Sequence, residues 1–146
     1  MGGDRVFVDT NILVYSYDTD GGHKHETARS VLADLWTSRT GAVSMQILQE
    51  FYVTVTRKLP KPLAKRTARD VVSTYRAWPV YQPDVEDALA ASELEDRHRL
   101  SFWDALVIVA AQRTGARTLL SEDLQHGRRI GDLVITNPFD PSPTGG

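Results

Sequence analysis

The chain has 146 residues, 41% of them hydrophobic and 25% charged, the proportions of one globular domain with a single core. Seventeen basic residues stand against 19 acidic ones, a net charge of -2, so bulk positive charge does not hold nucleic acid and any such contact is local. The absence of cysteine excludes a disulfide framework, a thiolate metal site and a cysteine nucleophile. The start Met1-Gly2-Gly3-Asp4-Arg5 lacks a signal-peptide core and the longest apolar run, residues 105–111, is too short to span a bilayer, which makes the cytoplasm the expected location.

Arg5-Val6-Phe7-Val8 is a β-branched and aromatic run that predicts a strand, ended by Asp9 and followed by a helix through Ile12-Leu13-Val14-Tyr15. From His25, the spacing of Ala28, Val31, Leu32 and Leu35 predicts an amphipathic helix closing near Trp36. Gly41-Ala42-Val43-Ser44 reads as a second strand, and Ile47, Leu48, Phe51, Tyr52 and Val55 as a helix stopped by Pro60-Lys61-Pro62. A basic helix follows, to about Ala77, then a third strand at Val80-Tyr81, and Pro83-Asp84 opens an acidic helix. Ser101 begins the most apolar helix, and Arg117-Thr118-Leu119-Leu120 and Leu133-Val134-Ile135-Thr136 complete the strands. Strands alternating with helices predict an α/β fold around a mostly parallel, five-stranded sheet, in one domain over residues 1–139. The tail over residues 140–146 is expected to be disordered, as are Gly2 and Gly3.

The charge is uneven. Arg57, Lys58, Lys61, Lys65, Arg66, Arg69 and Arg76 face Asp70 as the sole acid in their stretch, whereas residues 84–96 carry Asp84, Glu86, Asp87, Glu93, Glu95 and Asp96 without a base. The plain reading of both runs is a solvated helix face.

Ligand sites of open parallel sheets lie beyond the carboxyl ends of the strands. Asp9 ends the first strand, and Asp123 lies just past the fourth, in Ser121-Glu122-Asp123-Leu124. Glu50 sits at the edge of an apolar helical stripe, and Asp104 is the sole charge between Phe102 and Ala111, where burial of a lone carboxylate is expected to be costly. Each has a structural explanation: Asp9 as a helix N-cap, Asp104 in a capping box with Ser101, Glu50 as a boundary residue and Asp123 as a turn former. Capping does not exclude metal binding. Four converging carboxylates need a cation or protonation to offset their repulsion, and an all-oxygen set favours a hard ion, Mg²⁺ or Mn²⁺, suited to phosphoryl transfer to water. Thr10, Asn11 and Ser121 would orient that water or a phosphate.

These residues resemble the PIN domains, and within them the VapC-type ribonuclease toxins of toxin–antitoxin modules. The resemblance rests on Val8-Asp9-Thr10-Asn11-Ile12-Leu13-Val14-Tyr15, Gln49-Glu50-Phe51, Ser101-Phe102-Trp103-Asp104-Ala105-Leu106 and Leu120-Ser121-Glu122-Asp123-Leu124, with residues 131–139 similar to the family's last strand. It implies a twisted parallel sheet between helices, Asp9 and Asp104 as principal metal ligands with Glu50 and Asp123 completing the site, and Mg²⁺- or Mn²⁺-dependent cleavage of RNA. It also implies a homodimer neutralised by a small VapB-type antitoxin. Glu122 competes with Asp123 for the fourth position. The helices from His25 and Gln46 offer apolar surface for a two-fold interface.

With that reading, Arg57, Lys58, Lys61, Lys65, Arg66 and Arg69 become candidate RNA contacts, because an acidic site repels RNA and a flanking positive surface offsets this. Tyr52, Tyr75, Trp78 and Tyr81 bracket the basic stretch and suit either base stacking or core packing. His23 and His25, two residues apart near a helix start, diverge and suit solvated or capping roles better than metal binding. A phosphoacceptor receiver is disfavoured because Lys24, Lys58, Lys61 and Lys65, the only lysines, all lie in the first half. No G-x-G-x-x-G follows the first strand, which excludes a dinucleotide site, and Asn11 stands where a haloacid-dehalogenase-like phosphatase expects a second aspartate. The remaining alternative is a PIN-fold scaffold that binds RNA or protein without cleaving.

Overall fold

The computed structural model describes residues 3–143. Gly2 and residues 144–146 of the expected disordered ends lie outside the described residues. The elements in chain order are β1 (Val6–Val8), α1 (Thr10–Tyr15), α2 (His23–Ser38), β2 (Gly41–Ser44), α3 (Met45–Arg57), α4 (Lys65–Thr74), a 3-10 turn (Tyr75–Ala77), β3 (Val80–Tyr81), α5 (Val85–His98), α6 (Phe102–Arg113), β4 (Thr118–Leu120), β5 (Arg129–Ile130) and β6 (Leu133–Thr136).

The strands lie in the order β3-β2-β1-β4-β6-β5. All neighbours are parallel except β5 and β6, which pair antiparallel with Ile130 opposite Leu133. The sheet therefore has six strands where the sequence predicts five. The extra one, β5, is two residues long and is joined to β6 by a turn through Gly131 at φ 60°, too short a run to show an alternating pattern. The expected basic helix is also divided, α4 giving way to the 3-10 turn before Trp78.

Parallel strands covered on both faces read as continuous apolar runs, and Phe7 and Val8 of β1 and Ala42 and Val43 of β2 are all fully buried. Helix α6 is apolar all round for the same reason, with every residue from Ala105 to Ala111 buried. Gly41 opens β2 beneath Trp78, which is buried with its ring 5.0 Å from that of Trp36 and 4.8 Å from that of Tyr75. Tyr75 and Trp78 are thus core residues, and Tyr81 is occupied by donating its hydroxyl to Asp87 at 2.6 Å.

Asp87 departs from the expectation of a solvated acidic face. It is 2% exposed and accepts from Tyr81, from the Asp84 backbone N–H at 3.0 Å and from Arg113 Nε at 2.9 Å, so it ties α5 to β3 and to the last turn of α6. Burial pushes its carboxyl up, but the donated hydrogen bonds outweigh that and hold it down at about 2. At the other end of the chain, within the stretch expected to be disordered, Asp140 N–H donates to the Asn137 carbonyl at 3.1 Å and His126 Nε2 meets the Ser142 carbonyl at 2.7 Å.

Two stability outcomes follow. A Cβ on Gly41 would lie 2.5 Å from Trp78 Cη2, so Gly41→Ala is expected to cost about 1–3 kcal/mol, read as a lower urea midpoint at unchanged m-value. The carboxylate of Asp87 titrates below its ordinary range, so its contribution is complete above about pH 4 and is lost as pH falls through about 2. Asp87→Asn should therefore lower the denaturation midpoint at pH 7, with the gap to wild type closing only near pH 2; a gap that closes by pH 5 would refute this account.

Candidate active site

The strand order reverses between β1 and β4, since the chain leaves β1 toward β2 and β3 and returns on the other side at β4. Such a switch point opens a crevice at the carboxyl ends of the two strands. Here a cleft of about 700 Å³ is lined by Asp9, Thr10 and Asn11, by Gln46, Gln49 and Glu50 of α3, by Trp103 and Asp104 of α6, and by Glu122 and Asp123 after β4. The four acids singled out from the sequence thus meet in one place, carried by four separate segments.

Asp9 is the fixed point. Its backbone N–H donates to the Leu120 carbonyl at 2.9 Å, extending the β1–β4 ladder, and its side chain caps α1 by accepting from Thr10 N–H at 2.8 Å. Ser121, fully buried, donates its hydroxyl to Asp9 Oδ2 at 2.8 Å and accepts from Asp123 N–H at 3.2 Å. Asn11 is the second organiser. Its amide nitrogen donates to Asp123 Oδ2 at 3.1 Å and lies 3.5 Å from Asp9 Oδ2, while its Oδ1 accepts from Glu122 N–H at 3.0 Å. Thr10 turns its hydroxyl the other way, to Glu50 Oε1 at 2.8 Å. Thr10, Asn11 and Ser121 therefore position the acids.

Asp104 is half-buried rather than buried as expected, because the first turn of α6 opens into the cleft. The capping box with Ser101 is only half formed: Ser101 Oγ accepts from Asp104 N–H at 3.1 Å, and the Asp104 carboxylate faces the cleft without a hydrogen-bond donor among the described residues. Glu122 and Asp123 divide their roles. Glu122 pairs with Lys24 and accepts from the Tyr15 hydroxyl at 3.0 Å, whereas Asp123 stands with Asp9 through Asn11.

Asp9 is 6% exposed, and burial, with the negative charges of Asp123 and Glu50, raises its carboxyl to about 6 despite the Ser121 and Thr10 hydrogen bonds. Among the described residues no Lys, Arg or His forms an ion pair with Asp9, Glu50, Asp104 or Asp123. No group of three or more Asp, Glu or His side chains among the described residues is drawn close enough together to hold a metal ion as it stands. The set is an open cluster of oxygen donors with an uncompensated buried carboxylate at its base, and that chemistry fits a hard divalent cation that keeps waters of its own.

Of the basic residues, Lys58 lines this cleft, Lys61 is drawn to Asp20 at 3.5 Å, and Arg69 and Arg76 line a separate apolar groove of about 740 Å³ between α3 and α4, where Tyr52 also lies. Arg57, Lys65 and Arg66 are exposed on neither wall. His25 Nδ1 meets the Tyr15 carbonyl at 2.8 Å and His23 lies 3.4 Å from Thr27 Oγ1, so neither histidine enters the cleft. Sequence reasoning missed Trp103 and Gln46, since a Trp in an apolar helix reads as core and a Gln as surface.

Residues 6–131 match the family described as PIN domain. The strand β6, which lies beyond that stretch, pairs in register with β4. Among solved structures, the toxin VapC20 of Mycobacterium tuberculosis, which cleaves the sarcin-ricin loop, is similar at 21% identity and TM-score 0.58, over 78% of this chain and 86% of its own. A toxin–antitoxin complex from Klebsiella pneumoniae is similar at 20% identity and TM-score 0.67, over 92% of this chain and 98% of that one. VapBC2 from Rickettsia felis, bound to a DNA fragment from their promoter, is similar at 21% identity and TM-score 0.64, over 90% and 97%. No curated protein sequence matches significantly.

The raised carboxyl of Asp9 has a thermodynamic signature. As pH rises from about 4 to about 6, the unfolded chain ionises this group while the fold still holds its proton, so stability falls by up to about 3 kcal/mol and stays lower above pH 6. Without divalent ions, Asp9→Asn should melt higher than wild type at pH 7.5, with the difference vanishing below about pH 4. Equal melting temperatures at pH 7.5 would show that the carboxylate is not strained there.

Proposed function

We propose, on the premise that the chain belongs to the PIN domain family, that it is a ribonuclease hydrolysing RNA phosphodiester bonds with Mg²⁺ or Mn²⁺ held by Asp9, Glu50, Asp104 and Asp123, and that it acts as the VapC-type toxin of a toxin–antitoxin module. The observation that carries this reading is the convergence of four carboxylates from four segments on one cleft, none of them in an ion pair among the described residues.

A divalent ion in that cluster would supply Lewis-acid activation of water and neutralise charge on the phosphate. The chain's own residues do the rest. Ser121 and the start of α1 hold Asp9 in one orientation, Asn11 sets Asp123 beside it, and Thr10 restrains Glu50 at the rim. Asp104 keeps its acceptors directed into the cleft. Lys58 lies where a substrate phosphate would pass, and Arg57, Lys61, Lys65, Arg66 and Arg69, which lie outside the cleft between the end of α3 and α4, would contact the backbone flanking it. In-line attack of water expels the 3′-oxygen and leaves a 5′-phosphate and a 3′-hydroxyl.

The similarity to toxin–antitoxin complexes supports a VapB-type antitoxin as partner, and the homodimer is proposed on the family resemblance alone. Among the described residues no helix is long and apolar enough to cross a membrane.

Purified protein with total RNA is expected to cut in Mg²⁺ or Mn²⁺, to stop with EDTA, and to lose at least about a hundredfold in rate in Asp9→Asn and in Asp104→Asn. Lys58→Ala should weaken RNA binding and reduce its salt slope by about one. Absence of cleavage in both metals across RNA pools would overturn the nuclease reading in favour of a binding scaffold.

A further inference from the structure

Trp103 is 62% exposed, the most exposed aromatic among the described residues, and it precedes Asp104 on the wall of the acidic cleft. Its only aromatic neighbour among the described residues is Phe102, edge-on at 5.2 Å between ring centroids, so the indole is not part of the core cluster that buries Tyr75 and Trp78. At the mouth of the cleft the exposed indole offers a flat aromatic face on which another ring can stack. What enters this cleft bears phosphate, since the proposed metal ligands lie beside the ring, and the part of a nucleotide that covers an indole is its base.

On the α3 side of the same cleft, Gln46 and Gln49 present amides. Gln46 Oε1 is buried and has no hydrogen-bond partner, an acceptor that an incoming N–H would satisfy. Amides matched to base edges discriminate, whereas an aromatic face accepts any base.

Resting on the ribonuclease reading above, we infer that Trp103 is a stacking platform for an unpaired base next to the scissile phosphate, and that Gln46, with Gln49 beside it, selects which base that is. In a duplex the base faces are covered by their neighbours, so the preference is for single-stranded segments and loops.

Two readouts test this. The first is binding of fluorescein-labelled single-stranded RNA hexanucleotides of each base, and of a duplex of the same length, in Ca²⁺, with intactness checked on gels. Trp103→Ala should weaken single-strand binding about tenfold, Trp103→Phe should restore most of it, and RNA should quench tryptophan emission in wild type but not in Trp103→Phe. Because the ring is exposed, these variants should retain the wild-type melting temperature. The second readout is cleavage-site mapping, in which Gln46→Ala should broaden the nucleotide found beside the cut. Cleavage in wild type with affinity, quenching and cut sites unchanged in Trp103→Ala overturns the platform and leaves the nuclease standing. Quenching by single strands in a protein that cuts no RNA supports the platform while removing the nuclease. Equal affinity for duplex and single strand overturns the inference.

Discussion

The constraint on which this structure depends is the carboxylate of Asp9, held at the end of the central strand where it is nearly sealed from water. A charge in that position is costly, and three donors from α1 and the β4 end are arranged to keep it there. Those donors do not fully compensate, as the raised carboxyl shows. The cost that remains would fall if a cation were held beside the group, as the proposed function requires.

The central strand can carry this group because of how the sheet is wound. With β1 flanked by β2 and β4, both its faces are covered and both its edges are paired, so nothing near Asp9 has freedom to move away from it. The loops after β1 and β4 are then locked to each other by Asn11 and Ser121, each of which bonds in both directions. The four acids at the cleft are therefore held by hydrogen bonds of the fold itself, Asp104 through its backbone N–H.

Much of this was legible in the sequence. The apolar runs of β1, β2, β4 and β6 are long enough or pure enough to stand out, and Asp9 and Asp123 were placed by the rule that strand ends face the crevice. Asp104 was legible through its isolation in an apolar helix, although its burial was overestimated because helix periodicity says nothing of which turn meets solvent. Three features were not legible. The strand β5 is only a hydrogen-bonding partner for β6, set by the turn at Gly131 rather than by composition. Asp87 looks like its acidic neighbours until Tyr81 of β3 and Arg113, 26 residues on in α6, reach it. Trp103 has the residue type of a core position and the environment of a surface one, a distinction that only tertiary packing makes.

Helix α6 joins two of these observations. Its middle is apolar on every side, and such a cylinder resists sideways displacement far better than sliding along its own axis. The polar contacts at its two ends supply what greasy packing omits: Ser101 caps the first turn, and Arg113 in the last is pinned to Asp87 on α5. Asp104 and Arg113 are nine residues apart, about 14 Å along the axis. The helix that carries Asp104 into the cleft is thus held by a polar contact at each end, one beside the carboxylate and one a full helix length away on α5.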